Sequence, residues 1–244
     1  MTDWERYIGL TMLGPLLWLE GLYVRLVTPQ LPEPPGARKG ITGQGPLLRL
    51  LIAGDSAAAG VGAASQGEAL SGRLVGYLRL HFTVKWQLLA INGLDSPGLV
   101  KQLEEAPADR FDVVVLSIGV NDVTSLRSPS QWLQWQDQLA NVIQSRFKPQ
   151  LLIHSAIPPM HGFTALPQPL RWFMGRWATE MNRRLDVRLS GKTERILHWP
   201  FQEAATEGLA TDGFHPGPVG YGVWAEGLSK VIRLQSCNEP RPNQ

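Results

Sequence analysis

The chain has 244 residues, 43% of them hydrophobic, with a formal net charge of +2 at pH 7 and one cysteine, Cys237. That length buries a sizeable core and fits one catalytic domain with an appendage. The basic residues form no run that would track phosphates, so nucleic acid is not an expected partner; a lone cysteine excludes an internal disulfide and a thiolate zinc site; and the five histidines lack H-x-x-x-H or H-E-x-x-H spacing, so a metal enzyme is not expected.

In chain order, the first feature is Ile8 to Val27, "IGLTMLGPLLWLEGLYVRLV", apolar but interrupted by Pro15, Glu20 and Arg25. A span needs about 20 mostly apolar residues, and a central acid costs ~3 kcal/mol. The start Met1-Thr2-Asp3-Trp4-Glu5 has no basic stretch and no A-x-A follows, so a cleaved secretion signal is not expected. Two placements remain for an apolar helix over 1–27. It lies on a membrane surface through residues 8–27, with Trp4, Trp18 and Tyr23 at headgroup level, or it docks on the protein's own core. Residues 28–46, "TPQLPEPPGARKGITGQGP", read as an irregular Pro/Gly-rich connector.

From Leu47 onward, β-type runs alternate with helical patterns, and residues 47–244 form the expected catalytic domain. Strands are predicted at Leu47–Ala53, Val84–Ile91, Asp112–Ile118, Leu151–Ala156 and Arg195–Trp199, and helices at Gly67–Leu80, Ser130–Phe147, Leu170–Leu189 and Val219–Leu234. The third run, "DVVVLSI", is apolar on both parities, as in a strand covered on both faces. The expected fold class is α/β, a three-layer α/β/α sandwich around a five-stranded parallel sheet. With strand order 2-1-3-4-5, the first and third strands are neighbours at the switch point, where ligands bind beyond the C-terminal strand ends. Gly54-Asp55-Ser56 and Gly119-Val120-Asn121-Asp122 follow those two ends.

Ser56 by itself is weak evidence for a nucleophile, because most serines after a strand are turn or cap residues. Ala58 stands where G-x-S-x-G needs its second glycine, which argues against the α/β-hydrolase elbow. Asp212 and His215, three residues apart on a Gly-containing loop, could pair as orienter and base, with Pro216 at the first position of the last helix; the bland reading is a turn and a helix start. The Ser56 N–H, the Asn121 side chain and the Gly93 N–H could stabilise an oxyanion, although Asn-Asp and Asn-Gly are also ordinary turn pairs. Asp55 and Asp122 read as braces. Leu170, Phe173, Met174 and Trp177 recur as the apolar stripe of a core-packed helix, and the loop Pro158 to Pro169 before it is long enough to wall an acyl pocket.

Taken in order, Gly54-Asp55-Ser56, Gly93, Gly119-Val120-Asn121-Asp122 and Asp212-Gly213-Phe214-His215 resemble the blocks of the SGNH hydrolases, the GDSL-type lipases and esterases, over about residues 47–235. The resemblance is to a bacterial single-domain esterase branch and implies a flavodoxin-like fold. It also implies Ser56 as nucleophile, His215 as base, Asp212 as its orienter, and Ser56, Gly93 and Asn121 as the oxyanion hole. Pro159, Met160, Phe163 and Phe214 are the expected substrate contacts. The expected function is hydrolysis of short- to medium-chain acyl esters, small-molecule or lipid, through an acyl-enzyme, a route that requires no cofactor or metal. Alternatives within that chemistry are a carbohydrate acetyl-ester deacetylase and a lysophospholipase; one of another class is a non-catalytic membrane-associated binding module. The expected location is the bacterial cytoplasm or the membrane periphery.

Overall fold

A computed structural model describes residues 3–191, 194–197 and 208–238. The chain opens with helix α1 (Asp3–Val27), then strands β1 (Lys39–Thr42) and β2 (Leu47–Gly54). After β2 come the single-turn α2 (Ser56–Ala59), α3 (Leu70–Leu78), β3 (Thr83–Ala90), α4 (Ser96–Glu105), β4 (Val113–Ser117) and the short α5 (Val120–Thr124). The remainder runs α6 (Pro129–Phe147), β5 (Leu151–Ser155), a 3₁₀ turn at Met160–Gly162, α7 (Leu170–Leu189), β6 (Arg195–Leu197) and α8 (Pro218–Asn238).

The sheet order is β1-β3-β2-β4-β5-β6. From β2 to β6 all pairings are parallel, and these five strands follow the expected 2-1-3-4-5 order. The sixth strand corrects the reading of 28–46 as wholly irregular: β1 pairs antiparallel with β3, from Lys39 opposite Gln87 to Thr42 opposite Val84. Only four residues long, with an exposed Ile41, β1 is held by backbone bonds and leaves no hydrophobic period to read. The rest of the connector is also tied down. Glu33 accepts from the Asn92 N–H at 2.8 Å and pairs with Arg38 at 2.8 Å, while Arg38 donates to the Ala90 carbonyl.

Strand alternation divides the core. Leu48, Leu50, Ile52, Val113 and Val115 face α3 and α8, meeting Leu70, Leu74, Trp224 and Leu228. Their neighbours Leu51, Ala53, Val114 and Leu116 face α4 and α6, meeting Leu99, Leu103, Leu139 and Phe147. Because successive side chains point to opposite faces, a strand apolar on both parities fills two cores at once, each large side chain contributing roughly 1.5–3 kcal/mol on burial. α4 has no counterpart among the predicted helices. Its start is set by Asp95, whose carboxylate accepts from the Gly98 N–H at 3.0 Å.

α1 docks through one flank, where Leu17 is buried and Leu13 and Val24 pack against α7. Glu20, the residue that interrupts the apolar stretch, accepts from the Leu170 N–H at 2.9 Å, satisfying an orphan donor in the first turn of α7. Met12, Leu16, Leu19 and Leu26 stay exposed on another flank. Among the described residues, no helix is long and apolar enough to cross a membrane.

At the end of β2 the chain passes very close to β4. A Cβ on Gly54 would stand 1.9 Å from the Ser117 carbonyl oxygen and 2.9 Å from the Ala58 Cβ. Both neighbours are fixed, one by the sheet and one by α2, so neither can yield. Gly54→Ala is therefore expected to destabilise the fold by about 3 kcal/mol, read as a lower urea midpoint with an unchanged m-value; an unshifted midpoint would contradict this packing.

Candidate active site

Asp55 and Ser56 sit where β2 gives way to α2. Asp55 caps α2, its Oδ1 accepting from the Ala57 N–H at 3.1 Å, and Ser56 is the first helical residue. The brace expected of Asp55 is thus a cap. Burial pushes its carboxyl up to about 7, against the bond from Ala57 and the attraction of His215.

Opposite α2, the loop before α8 delivers Asp212 and His215. The Asp212 Oδ1 accepts from the N–H groups of Phe214 and His215, both at 3.0 Å, so the carboxylate folds its own loop. Its Oδ2 lies 2.6 Å from the His215 Nδ1, and the His215 Nε2 lies 3.0 Å from the Ser56 Oγ. Asp212 is buried, which raises a carboxyl, but the bonds from the His215 ring and the two amides outweigh burial and hold it below its ordinary value. A carboxylate, an imidazole and a hydroxyl therefore stand in one hydrogen-bonded line, in which the bond from His215 to Ser56 joins residues 159 positions apart.

The expected helix start at Pro216 is corrected. Pro216 forms an isolated antiparallel bridge with Leu209, the His215 carbonyl accepts from the Ala210 N–H at 2.8 Å, and α8 begins at Pro218. His215 is anchored by this loop pairing, so its position does not depend on the dipole of α8.

An apolar pocket opens beside Ser56 and His215, enclosing about 560 Å³ of space, part of it open to solvent. Val120, Pro158, Pro159, Phe163, Leu209 and Phe214 form its walls. Phe163 and Phe214 pack ring to ring with centroids 4.8 Å apart, and Phe214 meets the His215 ring at 5.3 Å, so the wall and the imidazole brace each other. Of the four expected substrate contacts, Pro159, Phe163 and Phe214 line this pocket. Met160 does not: as the first residue of the 3₁₀ turn it points inward and is fully buried in the core beneath α7. A tight turn inside a Pro-rich loop reverses side-chain direction between adjacent residues, which the sequence alone does not reveal. Pro158 lies in the loop expected to wall an acyl pocket, whereas Val120 and Leu209 lie outside it; Leu209 carries no sequence signal because its place depends on the bridge to Pro216.

Gly93 and Asn121 follow β3 and β4. Gly93 is exposed at φ +82°, a left-handed conformation that glycine adopts without strain and that turns the chain over the ends of the strands. The Asn121 Nδ2 donates to the Leu94 carbonyl at 2.7 Å, which fixes the side chain. An amide nitrogen carries two hydrogens, and the second is available to a ligand. Neither Gly93 nor Asn121 is among the described residues that line the apolar pocket. Asp122 is fully buried, accepting from the Ser96 N–H and Oγ and from Arg127, in keeping with a bracing role.

Residues 52–223 match the GDSL-like Lipase/Acylhydrolase family. The chain is 26% identical over 242 residues to a GDSL-like esterase of Mycobacterium tuberculosis, covering 89% of this chain and 76% of that one. Among solved structures it is similar to a lipolytic protein of the G-D-S-L family from Veillonella parvula, with a TM-score of 0.62 at 15% identity over 76% of this chain and 98% of the other. An acetylxylan esterase from Geobacillus stearothermophilus gives a TM-score of 0.55 at 19% identity over 76% and 94%. At such identities the structural likenesses speak to the fold alone.

Proposed function

Because the chain belongs to the GDSL-like lipase/acylhydrolase family and is a carboxylic-ester hydrolase, we propose that it cleaves short- to medium-chain acyl esters through an acyl-enzyme on Ser56. The Ser56 Oγ attacks the ester carbonyl while the His215 Nε2 takes its proton, and Asp212 holds the ring in the tautomer that leaves Nε2 free. The oxyanion rests on the N–H groups of Ser56 and Gly93 and on the Asn121 amide. His215 then gives its proton to the departing alcohol; water repeats the sequence on the acyl-enzyme and releases the acid. The observation that carries this reading is the line from Asp212 through His215 to Ser56 at the mouth of an apolar pocket.

The pocket also supports the substrate class. Among the described residues that line it, only Asp55, Ser56 and His215 have polar side chains, which suits an alkyl chain better than a sugar ring. Across p-nitrophenyl esters from acetyl to palmitoyl, kcat/KM is expected to peak between butyryl and octanoyl. A rate still rising at palmitoyl would support the lysophospholipase alternative, and turnover confined to acetylated sugars would support the deacetylase; either contradicts the proposed substrate class.

Asn121→Ala tests the oxyanion role. A donor that strengthens only as charge develops lowers kcat when removed, by about 10²-fold here, with KM nearly unchanged. A change confined to KM would make Asn121 a substrate-positioning group instead.

A further inference from the structure

The proposed oxyanion donors come from two separate segments, the turn after β3 with Gly93 and the start of α5 with Asn121, and their convergence depends on how those segments are joined. Three links cross between them: the Asn121 Nδ2 donates to the Leu94 carbonyl at 2.7 Å, Ser96 donates to the Asp122 carboxylate through its N–H at 3.1 Å and its Oγ at 2.8 Å, and Arg127 bridges both sides. The Arg127 Nε donates to the Asp122 Oδ1 at 2.7 Å, and its Nη2 donates to the Asp95 Oδ2 at 2.8 Å. The main chain of Arg127 is itself held. Its backbone N–H donates to the Asp122 carbonyl at 2.9 Å, its carbonyl accepts from the Trp177 Nε1 at 2.9 Å, and the preceding Leu126 adopts φ +55°, a left-handed conformation rare for a residue with a side chain. Such strain persists where surrounding structure requires it, and here it turns the chain so that Arg127 faces Asp122.

We propose that Arg127 is a positioning residue, a clamp that fixes the Gly93 turn against the Asn121 turn so that their N–H donors converge on one oxyanion. A planar fork with donors at fixed separation can span two carboxylates; a lysine ammonium, with a single charged centre, cannot reproduce that geometry. Without the fork, Asp122 is left as a buried carboxylate lacking its cation, and the two turns keep the bonds from Asn121 and Ser96 but lose the cationic bridge. This inference rests on the reading of Gly93 and Asn121 as oxyanion donors.

The test compares Arg127→Ala, Arg127→Lys and Asp95→Asn in the full chain, with Ser56→Ala as reference. Turnover of p-nitrophenyl butyrate is normalised to active sites titrated by the initial burst. Arg127→Ala is expected to lower kcat by roughly 10–100-fold with KM within about threefold, as for loosened donors that act in the transition state. Millimolar guanidinium ion should restore part of that loss, and Arg127→Lys should recover the melting temperature more fully than kcat. Asp95→Asn keeps the cap of α4, because Asn caps as well as Asp, yet removes one anchor of the fork. It should lower kcat severalfold, and it decides the matter if Arg127→Ala does not fold. Wild-type kcat per active site in Asp95→Asn, or in a folded Arg127→Ala, would overturn the clamp. Undiminished turnover in Ser56→Ala would instead overturn the proposed mechanism beneath it, so the two failures are distinct.

Discussion

Ser56→Ala is expected to lower turnover of a short-chain p-nitrophenyl ester by about 10⁴–10⁶-fold while leaving the fold intact. The two halves of that expectation have separate causes. The Ser56 Oγ is the atom at 3.0 Å from the His215 Nε2, so its removal leaves the base without a nucleophile to activate. The same hydroxyl sits at the first position of α2, where alanine forms helix at least as well, and the cap that starts α2 comes from Asp55. Melting temperature and circular dichroism should therefore match the wild type. Retained turnover would remove Ser56 from the chemistry; lost turnover with lost structure would show that the hydroxyl also holds the fold.

Asp212→Asn is expected to produce the second large effect, a fall in kcat of roughly 10²–10⁴-fold. Asparagine keeps an oxygen for the amides of Phe214 and His215, so the loop can retain its shape. What changes is the group facing the His215 Nδ1 at 2.6 Å: an amide NH₂ donates where a carboxylate accepted, which favours the tautomer protonated on Nε2 and blocks proton uptake from Ser56. A stability effect accompanies it. The Asp212 carboxyl is held below its ordinary value of 3.8, so its ionised form stabilises the native state above that pH, and the contribution is lost as pH falls through the lower folded value. In acid denaturation followed by fluorescence, Asp212→Asn should lack this component. A variant with wild-type kcat would reduce Asp212 to a loop-forming residue.

Much of the fold was legible because period and parity suffice for it. "DVVVLSI" required a strand covered on both faces, and Val113 and Val115 do face one helical layer while Val114 and Leu116 face the other. Elements held by backbone bonds or local turns were harder to read. β1 presents one apolar residue, and that one is exposed; α4 is short, with a cap and three buried apolar residues, Leu99, Val100 and Leu103, to mark it; and the start of α8 moves to Pro218 because Pro216 is engaged with Leu209. At the site, Ser56, Asp212 and His215 were recognisable from motif order, and the structure brings them into one hydrogen-bonded line. Contacts that depend on loop paths were not: Met160 turns inward, Leu209 enters the pocket wall, and Arg127 reaches Asp95 across 32 positions through a left-handed turn at Leu126. Side-chain chemistry can be recognised in a motif, whereas direction on an irregular loop follows from φ and from partners distant in sequence.

The central claim is an acyl-enzyme on Ser56, and the most direct measurement is intact-protein mass spectrometry after acid quench during turnover of p-nitrophenyl butyrate, followed by peptide mapping. The proposed mechanism predicts a single butyryl adduct on the peptide containing Ser56, absent from Ser56→Ala and accumulating in Asp212→Asn if deacylation is slowed more than acylation. Hydrolysis with no adduct at any quench time, and none under single-turnover conditions with excess enzyme, would contradict it, as would an adduct mapped to a different residue.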